Sequence, residues 1–587
     1  MVVSSLYARV ACVLQGPPLV EPLDRSVAAL FLRQTRALGD QIFWHEPNLE
    51  SDSWSAVTWN QFYLEVRAMA GYLLDQGYSN QDCIAFLAPR SRALFALEMA
   101  CACLGIPCFH FHEQRSKVSV FQILQQAGAT RLVLGGASEY HYLFEESHLK
   151  MAMNDIGISS VVLLRPELDP MGDLVQVLRP DINDLSDDVF LAKVAEVGPD
   201  TPLGILTTSG TTGLPKGVML SHYNVLVQRA NQRQIMGDLL DRPRILSYLP
   251  WTHNFGRYFD RLMVMYNGGT YFLDDSAGKN ISRMIANIAK ARPTALISVP
   301  VILARLAAAG QQDKATAAII CHPELRFVFC GAAKLDDDTA RFFREHHVPV
   351  FVGYGLSESS GGLVATRPEF PPYYVPGIVG QPLPGVTIRL TACEDGGAGR
   401  FQIEAKGPNI ALGYTRTALN LTDDGFLRTG DLGEIREERG QRYLVYAGRA
   451  DDVFKLTNGL LLAPHEIETS LNSFPGVEAS MISGDGCAQI GALLFLNYEF
   501  LKTIFSEQPE LSNPRVIDYL RSIIERYNRE TRHKFHKIDR VLLTLEQAPI
   551  TGTNKIQRSV CRQRYGSALQ QLQDMALPND GIIIQAF

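Results

Sequence analysis

The stretch Thr207-Thr208-Ser209-Gly210-Thr211-Thr212-Gly213-Leu214-Pro215-Lys216-Gly217 concentrates hydroxyls, glycines and one lysine directly after the apolar, strand-like Leu203-Gly204-Ile205-Leu206. Small residues at the end of a strand present backbone N–H groups and hydroxyls to an anion. Glycine lets the chain approach phosphate closely, and lysine adds a point charge. These are the properties of a phosphate cradle. The run is not a Walker A loop, which needs Gly-Lys followed by Ser or Thr; here Pro215 precedes Lys216 and Gly217 follows it. A shorter fragment would read equally well as a flexible turn, and it is the order of eleven residues that favours the cradle.

Other chemically competent groups recur downstream. Tyr354-Gly355-Leu356-Ser357-Glu358 joins an aromatic ring, a hydroxyl and a carboxylate, although Ser-Glu alone would also serve as a helix N-terminal pair. Phe329-Cys330-Gly331-Ala332-Ala333 ends a strand in small residues, which make room for a planar ring or simply pack closely. In Gly425-Phe426-Leu427-Arg428-Thr429-Gly430-Asp431 an ionised carboxylate able to accept two O–H bonds stands beside a permissive glycine. Tyr446-Ala447-Gly448-Arg449-Ala450-Asp451-Asp452-Val453-Phe454-Lys455 is followed by Asn458-Gly459 and Pro464-His465-Glu466-Ile467-Glu468. Near the end stands Ala548-Pro549-Ile550-Thr551-Gly552-Thr553-Asn554-Lys555-Ile556-Gln557-Arg558.

In this order the runs resemble the signatures of the adenylate-forming superfamily, which includes acyl-CoA synthetases, peptide-synthetase adenylation domains and beetle luciferases. The resemblance implies that Thr208, Ser209, Gly210, Thr211, Thr212, Gly213 and Lys216 hold the phosphates of ATP. It places Tyr354 on adenine, Gly331 along adenine and the acyl pocket, Ser357 near the phosphates and Glu358 on Mg2+. A hard cation held by one carboxylate plus nucleotide oxygens is chemically reasonable. Asp431 takes the ribose hydroxyls and Arg449 meets ribose or phosphate. Asp451 is the hinge for the C-terminal domain, a role Asp452 could share. Lys555 is the catalytic lysine, stabilising charge that builds on the α-phosphate as the carboxylate attacks. Asn554 stands where the family commonly has glycine.

The acid and its acceptor are less tightly indicated. Leu249-Pro250-Trp251-Thr252-His253-Asn254-Phe255-Gly256-Arg257 resembles the Leu-Pro-x-x-His-x-x-x-Arg element of long-chain acyl-CoA synthetases. Leu249-Pro250-Trp251 with Tyr266-Asn267-Gly268-Gly269-Thr270 also resembles feruloyl-CoA synthetases, which take aryl acids. Either analogy puts His253 at the mouth of the acyl pocket, near the reacting carboxylate and thiol. Asp485-Gly486 leading into Ile490 to Phe495, and the order from Gly380 to Gly448, resemble bacterial and eukaryotic long-chain enzymes, a resemblance that implies a medium- or long-chain fatty acid. Coenzyme A is the implied acceptor, with Gly459 a point of close approach for the pantetheine arm. Arg532, His533, Lys534, His536 and Lys537 could hold its 3′-phosphate or form a solvated face. The alternative acceptor is an acyl carrier protein, necessarily a separate chain because the stretch after Tyr565 is too short to contain one. A catalytically inactive nucleotide- or acyl-binding sensor would be expected to lack Lys216, Glu358, Asp431, Arg449 or Lys555, and all five are present.

These groups need a scaffold. From Ser26 to Leu134, helical spacing at Val27 to Leu32 and Phe62 to Leu74 alternates with short apolar runs such as Cys83 to Leu87. Similar runs at Arg131 to Leu134, Ser160 to Leu164, Ala295 to Val299 and Leu325 to Phe329 predict βα units and a mostly parallel α/β body. After about Pro371 the texture turns to short β-rich pieces at Val386 to Leu390, Arg400 to Glu404 and Tyr443 to Tyr446. The expected division is a large domain over 1–450, of parallel α/β subdomains plus a β-rich subdomain. A small mobile α+β domain over 451–587 then carries Lys555.

Composition agrees with this scale. A chain of 587 residues exceeds one ordinary core, and 46% apolar with 20% charged residues is normal for a globular protein. A net charge of -7 gives no global attraction to nucleic acid. Cys101, Cys103 and Cys108 lie in an apolar run and, with His110 and His112, lack the paired spacing of a structural zinc site. Met1 to Val13 is too weak for a signal peptide, and no apolar run reaches the length of about 18 residues that a spanning helix needs. The expectation is a cytoplasmic protein in a reducing compartment, with peripheral membrane contact left open.

Overall fold

Hydroxyl side chains start the helices that flank the site. Thr58 accepts from Gln61 N and the Gln61 side chain returns to Thr58 N, a reciprocal cap on the helix Trp59–Asp75. Ser221 and Asn224 do the same for His222–Met236. Ser91 opens Arg92–Leu104, which ends at Gly105 with φ +69°. Each such N-cap stabilises its helix by about 1 kcal/mol, and the left-handed C-terminal position suits glycine.

The computed structural model describes residues 10–21, 23–48, 53–111, 117–144, 158, 160–164, 175–177, 185–208, 216–331, 335–368, 374–375, 377–392, 401–458, 460–472, 474–505, 510–531, 534–549, 556–575 and 582–586. Three principal sheets organise them. The first has eight strands, in the order Gly413–Tyr414, Lys216–Ser221, Pro202–Thr208, Cys108–His110, Ile84–Leu87, Arg131–Leu134, Ser160–Leu163 and Val175–Val177. Its last six run parallel, while Lys216–Ser221 turns back antiparallel on Pro202–Thr208 and also pairs with Gly413–Tyr414. Buried on both faces, the parallel strands read as unbroken apolar runs, which is why the sequence exposes them.

The second sheet has fourteen strands and changes character along its width. Arg244–Ser247, Thr270–Leu273, Ala295–Ser298, Phe327–Cys330 and Val350–Tyr354 run parallel. From Val350–Tyr354 it continues antiparallel through Val364–Ala365, Ile378–Pro382, Gln441–Arg449 and Leu427–Glu438. The β-rich piece expected after Pro371 is therefore continuous with the parallel body. Tyr354 lies at the junction. Val10–Gln15 closes the far edge by pairing with Thr387–Ala392, across a separation the sequence does not advertise.

The C-terminal segment has its own four-stranded sheet, Val477–Ser483, Ile490–Leu496, Ile538–Thr544 and Ile583–Ala586. Ile490–Leu496 is buried throughout. Ala492, Leu494 and Leu496 share a cluster with Val516, Leu520, Ile523, Ile524 and Tyr527 of the helix Pro514–Glu530. Leu493 and Phe495 share another with Cys561, Tyr565, Leu569 and Leu572 of Arg558–Asp574. Period 2 in the strand thus meets helical spacing on both sides, each fully buried Leu contributing about 1.5–3 kcal/mol. No helix among the described residues is long and apolar enough to cross a membrane.

Candidate active site

Thr208 and Lys216 are opposed in the antiparallel pair, with Thr208 Oγ1 donating to Lys216 O at 3.4 Å, so strand pairing brings together the two ends of the glycine-rich run. Ser209, Gly210, Thr211, Thr212 and Gly213 lie outside the described residues, as do Gly459 and Lys555. Lys216 Nζ stands 5.1 Å from the centre of the Tyr414 ring, and Tyr414 Oη donates to Glu358 Oε1 at 2.8 Å. Burial first, and then the charge of Glu358, raise the Tyr414 phenol above its ordinary range, so it remains a donor. Glu358 and Ser357 sit on the 3₁₀ turn Ser357–Ser359, fixed by Ala411 N donating to Glu358 O at 2.8 Å. The lysine and the acid anticipated from separate motifs are therefore linked through a tyrosine that sequence reasoning missed.

A second cluster forms where the large sheet changes direction. Asp431 is 2% exposed and lies opposite Arg449 in the strand pair. Tyr354 Oη donates to Asp431 Oδ2 at 2.6 Å, and Arg449 Nη1 meets Oδ1 at 3.2 Å and donates to Thr429 O at 3.0 Å. Gly430, at φ +73°, permits the close approach: a Cβ there would stand 2.8 Å from Arg449 Nη2. Burial and then the Asp431 charge raise the Tyr354 phenol; burial opposes the Arg449 charge, and Asp431, Tyr446 and Asp451 outweigh it and raise its pKa. A carboxylate has about four lone-pair sites, and Tyr354 and Arg449 engage one oxygen of Asp431 each. The Tyr446 ring stacks obliquely 5.5 Å from that of Tyr354.

The profile described as AMP-binding enzyme matches residues 33–415, well over half of the 587, and an AMP-binding enzyme C-terminal domain matches 451–575. The chain belongs to the AMP-binding enzyme family. It is similar to the long-chain-fatty-acid–CoA ligase FadD15 of Mycobacterium bovis, at 24% identity over 93% of this chain and 97% of that protein. It is also similar to long-chain-fatty-acid–CoA ligase 1 of Schizosaccharomyces pombe, at 23% identity over 88% of this chain and 85% of that one. Among solved structures, the fold matches the anthranilate CoA ligase AuaEII in complex with anthranoyl-AMP, with TM-score 0.74, 19% identity, and 93% and 98% of the two chains covered. ATP-bound MatB from Rhodopseudomonas palustris gives TM-score 0.69 and 22% identity over 92% of this chain and 99% of that one.

Within this AMP-binding fold, Gly331 closes a parallel strand: its N donates to Ser298 O at 3.2 Å, and an added Cβ would lie 2.9 Å from the Phe255 ring. His253 is partly buried, and its carbonyl accepts Arg257 N at 2.9 Å as the chain enters the π-helical turn Phe255–Asp260. Such turns often mark functional segments. Arg257, 1% exposed, donates Nε to Glu98, Nη1 to Ile205 O at 3.0 Å and Nη2 to Cys108 O at 2.9 Å. It thereby ties the His253 segment to the strand Pro202–Thr208 that leads into the glycine-rich run. Arg261 Nη2 donates to the other Glu98 oxygen at 2.7 Å while its guanidinium lies 4.0 Å from the Trp251 ring centre. Burial alone would lift the Glu98 carboxyl, and the two guanidiniums overcome it, holding it well below the usual range. Asp260, also buried, is pushed up to about 7, chiefly by burial. Glu98 was not legible as a partner because 159 positions separate it from Arg257.

Asp451 and Asp452 occupy the 3₁₀ turn Ala450–Asp452, where the second family match begins, and they face different partners. Asp451, exposed, lies 3.8 Å from Arg449 Nη2 on the large sheet. Asp452 lies 3.1 Å from Arg558 Nε, and Arg558 is held by both oxygens of the buried Glu468. Burial raises the Glu468 carboxyl even beside Arg558. The two adjacent aspartates therefore pair on opposite sides of the turn.

Proposed function

We propose that this chain is an ATP-dependent, AMP-forming carboxylate–CoA ligase acting on a medium- or long-chain fatty acid. The observation that carries the reading is the convergence of Lys216, Tyr414 and Glu358 at the ends of the phosphate-loop hairpin, together with Tyr354, Asp431 and Arg449 at the sheet junction. The fatty acid follows from the similarity to long-chain-fatty-acid–CoA ligases over nearly the whole chain.

On this reading Asp431 accepts the ribose hydroxyls, Tyr354 packs on adenine, and Arg449 both fixes Asp431 and meets ribose or phosphate. Lys216, Thr208 and the loop from Ser209 to Gly213 take the phosphates, with Ser357 beside them. The acid's carboxylate oxygen attacks the α-phosphorus and pyrophosphate leaves. Lys555 stabilises the charge that develops on the phosphate oxygens, an interaction stronger in the transition state than in the ground state. The thiol of coenzyme A, approaching past Gly459 and His253, then attacks the acyl carbon and AMP departs. Asp451 is the hinge between these steps. Glu358 fits Mg2+: one partly buried carboxylate with Tyr414 on a single oxygen leaves the other for a hard cation shared with the nucleotide. When bound, Mg2+ would neutralise phosphate charge.

The direct test is acid-dependent exchange of labelled pyrophosphate into ATP. The reading requires exchange with fatty acids and its loss in Lys555→Ala with retention of thioester formation from supplied acyl-adenylate. Exchange that is independent of any acid would refute it.

A further inference from the structure

Asn254 directly follows His253 and is only 8% exposed, yet among the described residues neither its Oδ1 nor its Nδ2 has a hydrogen-bond partner. Gln228, on the helix His222–Met236, is 2% exposed, and its Oε1 is likewise unpartnered among the described residues. An orphaned buried amide costs about 1–3 kcal/mol, so two such groups point to a ligand that completes them.

The two side chains converge on one short loop. A Cβ at Gly361 would lie 2.3 Å from Asn254 Nδ2, and one at Gly362 would lie 2.1 Å from Gln228 Nε2. Gly361 also has φ +89°, so both glycines are required for the carboxamides to come this close. From the other side Asn409 Nδ2 donates to Ser359 O at 3.2 Å and to Gly362 O at 2.5 Å, and Ser360 Oγ donates to Asn409 O at 2.9 Å. The loop is thus braced, and it is the same loop that carries Ser357 and Glu358. Phe255, next to Asn254, packs over Gly331. Asn254 thus lies between His253 and the Phe255 that packs over Gly331, the two residues the family resemblance sets along the acyl pocket, and Gln228 reaches the same segment through the Gly361-Gly362 turn.

We propose that Asn254, with Gln228 beside it, hydrogen-bonds a polar substituent, a hydroxyl or carbonyl, carried by the acid substrate. The inference rests on the carboxylate–CoA ligase reading and narrows its substrate class. A carboxamide offers a donor and an acceptor together, so a hydroxyl can satisfy either atom and a carbonyl can satisfy Nδ2. A plain hydrocarbon would leave the Asn254 carboxamide and Gln228 Oε1 unpaired, and sites built to hydrogen-bond a substituent discriminate strongly against analogues that lack it.

The experiment compares kcat/KM for matched acids: decanoate with 2-hydroxy-, 3-hydroxy- and 3-oxodecanoate, and benzoate with 2-hydroxybenzoate. The wild-type enzyme should prefer the substituted member of at least one pair by about tenfold or more, and the preferred pair separates an aliphatic from an aromatic source of the group. In Asn254→Leu that ratio should fall toward one, chiefly through loss on the substituted acid. Gln228→Met provides the same readout if thermal melting shows that Asn254→Leu does not fold. Ratios within about threefold for every pair in the wild type would overturn the inference, as would equal losses on both members in the variants, the signature of a purely structural role or a buried water. Failure of every acid to support turnover would overturn the ligase reading itself and this inference with it.

Discussion

Tyr354 and Asp431, 77 positions apart, meet through a 2.6 Å hydrogen bond from the phenol to a carboxylate that is almost wholly buried. The contact ties the end of a parallel strand to an antiparallel strand of the same sheet, and it orients the group assigned to ribose.

Tyr354→Phe tests that role. Hydrogen bonds to charged groups contribute about 1.5–3 kcal/mol, so the KM for ATP should rise roughly tenfold to a hundredfold. The acid's KM should move far less. Initial rates at saturating acid measure this, and equal shifts in both constants would argue against a ribose-side role for Asp431.

The motifs were legible because each packs its chemistry into contiguous residues: the Thr208 to Lys216 run, the turn at Glu358 and the Gly430-Asp431 pair can each be read locally. The parallel strands were legible for a related reason, since burial on both faces leaves runs such as Arg131–Leu134 almost uniformly apolar. What joins the motifs was not legible. Tyr414 reaches Glu358 across 56 positions, and Glu98 reaches Arg257 across 159, through pairings that only the assembled sheets define. The continuity of the β-rich piece with the parallel body has the same origin, because strand order is a property of the fold rather than of local periodicity. Asn254 stood in a recognised run, but its unpaired carboxamide is visible only with its neighbours in place.

Glu358→Gln should raise the Mg2+ concentration needed for half-maximal activity by about tenfold or more, because a neutral amide is a poorer ligand for a hard cation than a carboxylate. High Mg2+ should recover part of the rate, whereas chelation with EDTA should abolish turnover in both proteins. A Mg2+ titration of initial rates decides this; an unchanged midpoint would remove Glu358 from the metal assignment.

The Glu98–Arg257 pair should behave as a buried ion pair. Removing one partner should cost about 3–5 kcal/mol, since Glu98→Gln strands two buried guanidiniums and Arg257→Met leaves the buried Glu98 charge to Arg261. The double variant should lose clearly less than the sum of the two. Urea unfolding of the four proteins gives the coupling, and strict additivity would contradict the network.

His222 is fully buried and accepts Val27 N on Nδ1 at 3.1 Å, which requires the unprotonated nitrogen; burial pushes its pKa down to about 3. The unfolded chain protonates near 6.5 while the folded protein does not, so this group's contribution is present above 6.5 and falls as the pH drops. The loss is about 1.4 kcal/mol per pH unit below that point. Asp260 acts in the opposite sense, since its raised pKa of about 7 favours the folded state on acidification and that contribution disappears as pH rises. The test is therefore a difference: His222→Asn should be less stable than wild type at pH 7.5 but lose less stability on going to pH 5. Parallel losses in the two proteins would show that His222 is not the titrating group.

The most direct measurement of the central claim is the product balance when purified protein is incubated with ATP, Mg2+, coenzyme A and a panel of fatty and hydroxycinnamic acids, resolved by mass spectrometry. The account predicts acyl-CoA, AMP and pyrophosphate in equal amounts, with the fatty panel preferred. Acyl-AMP accumulating equally with and without coenzyme A would contradict coenzyme A as acceptor and direct attention to a carrier-protein thiol.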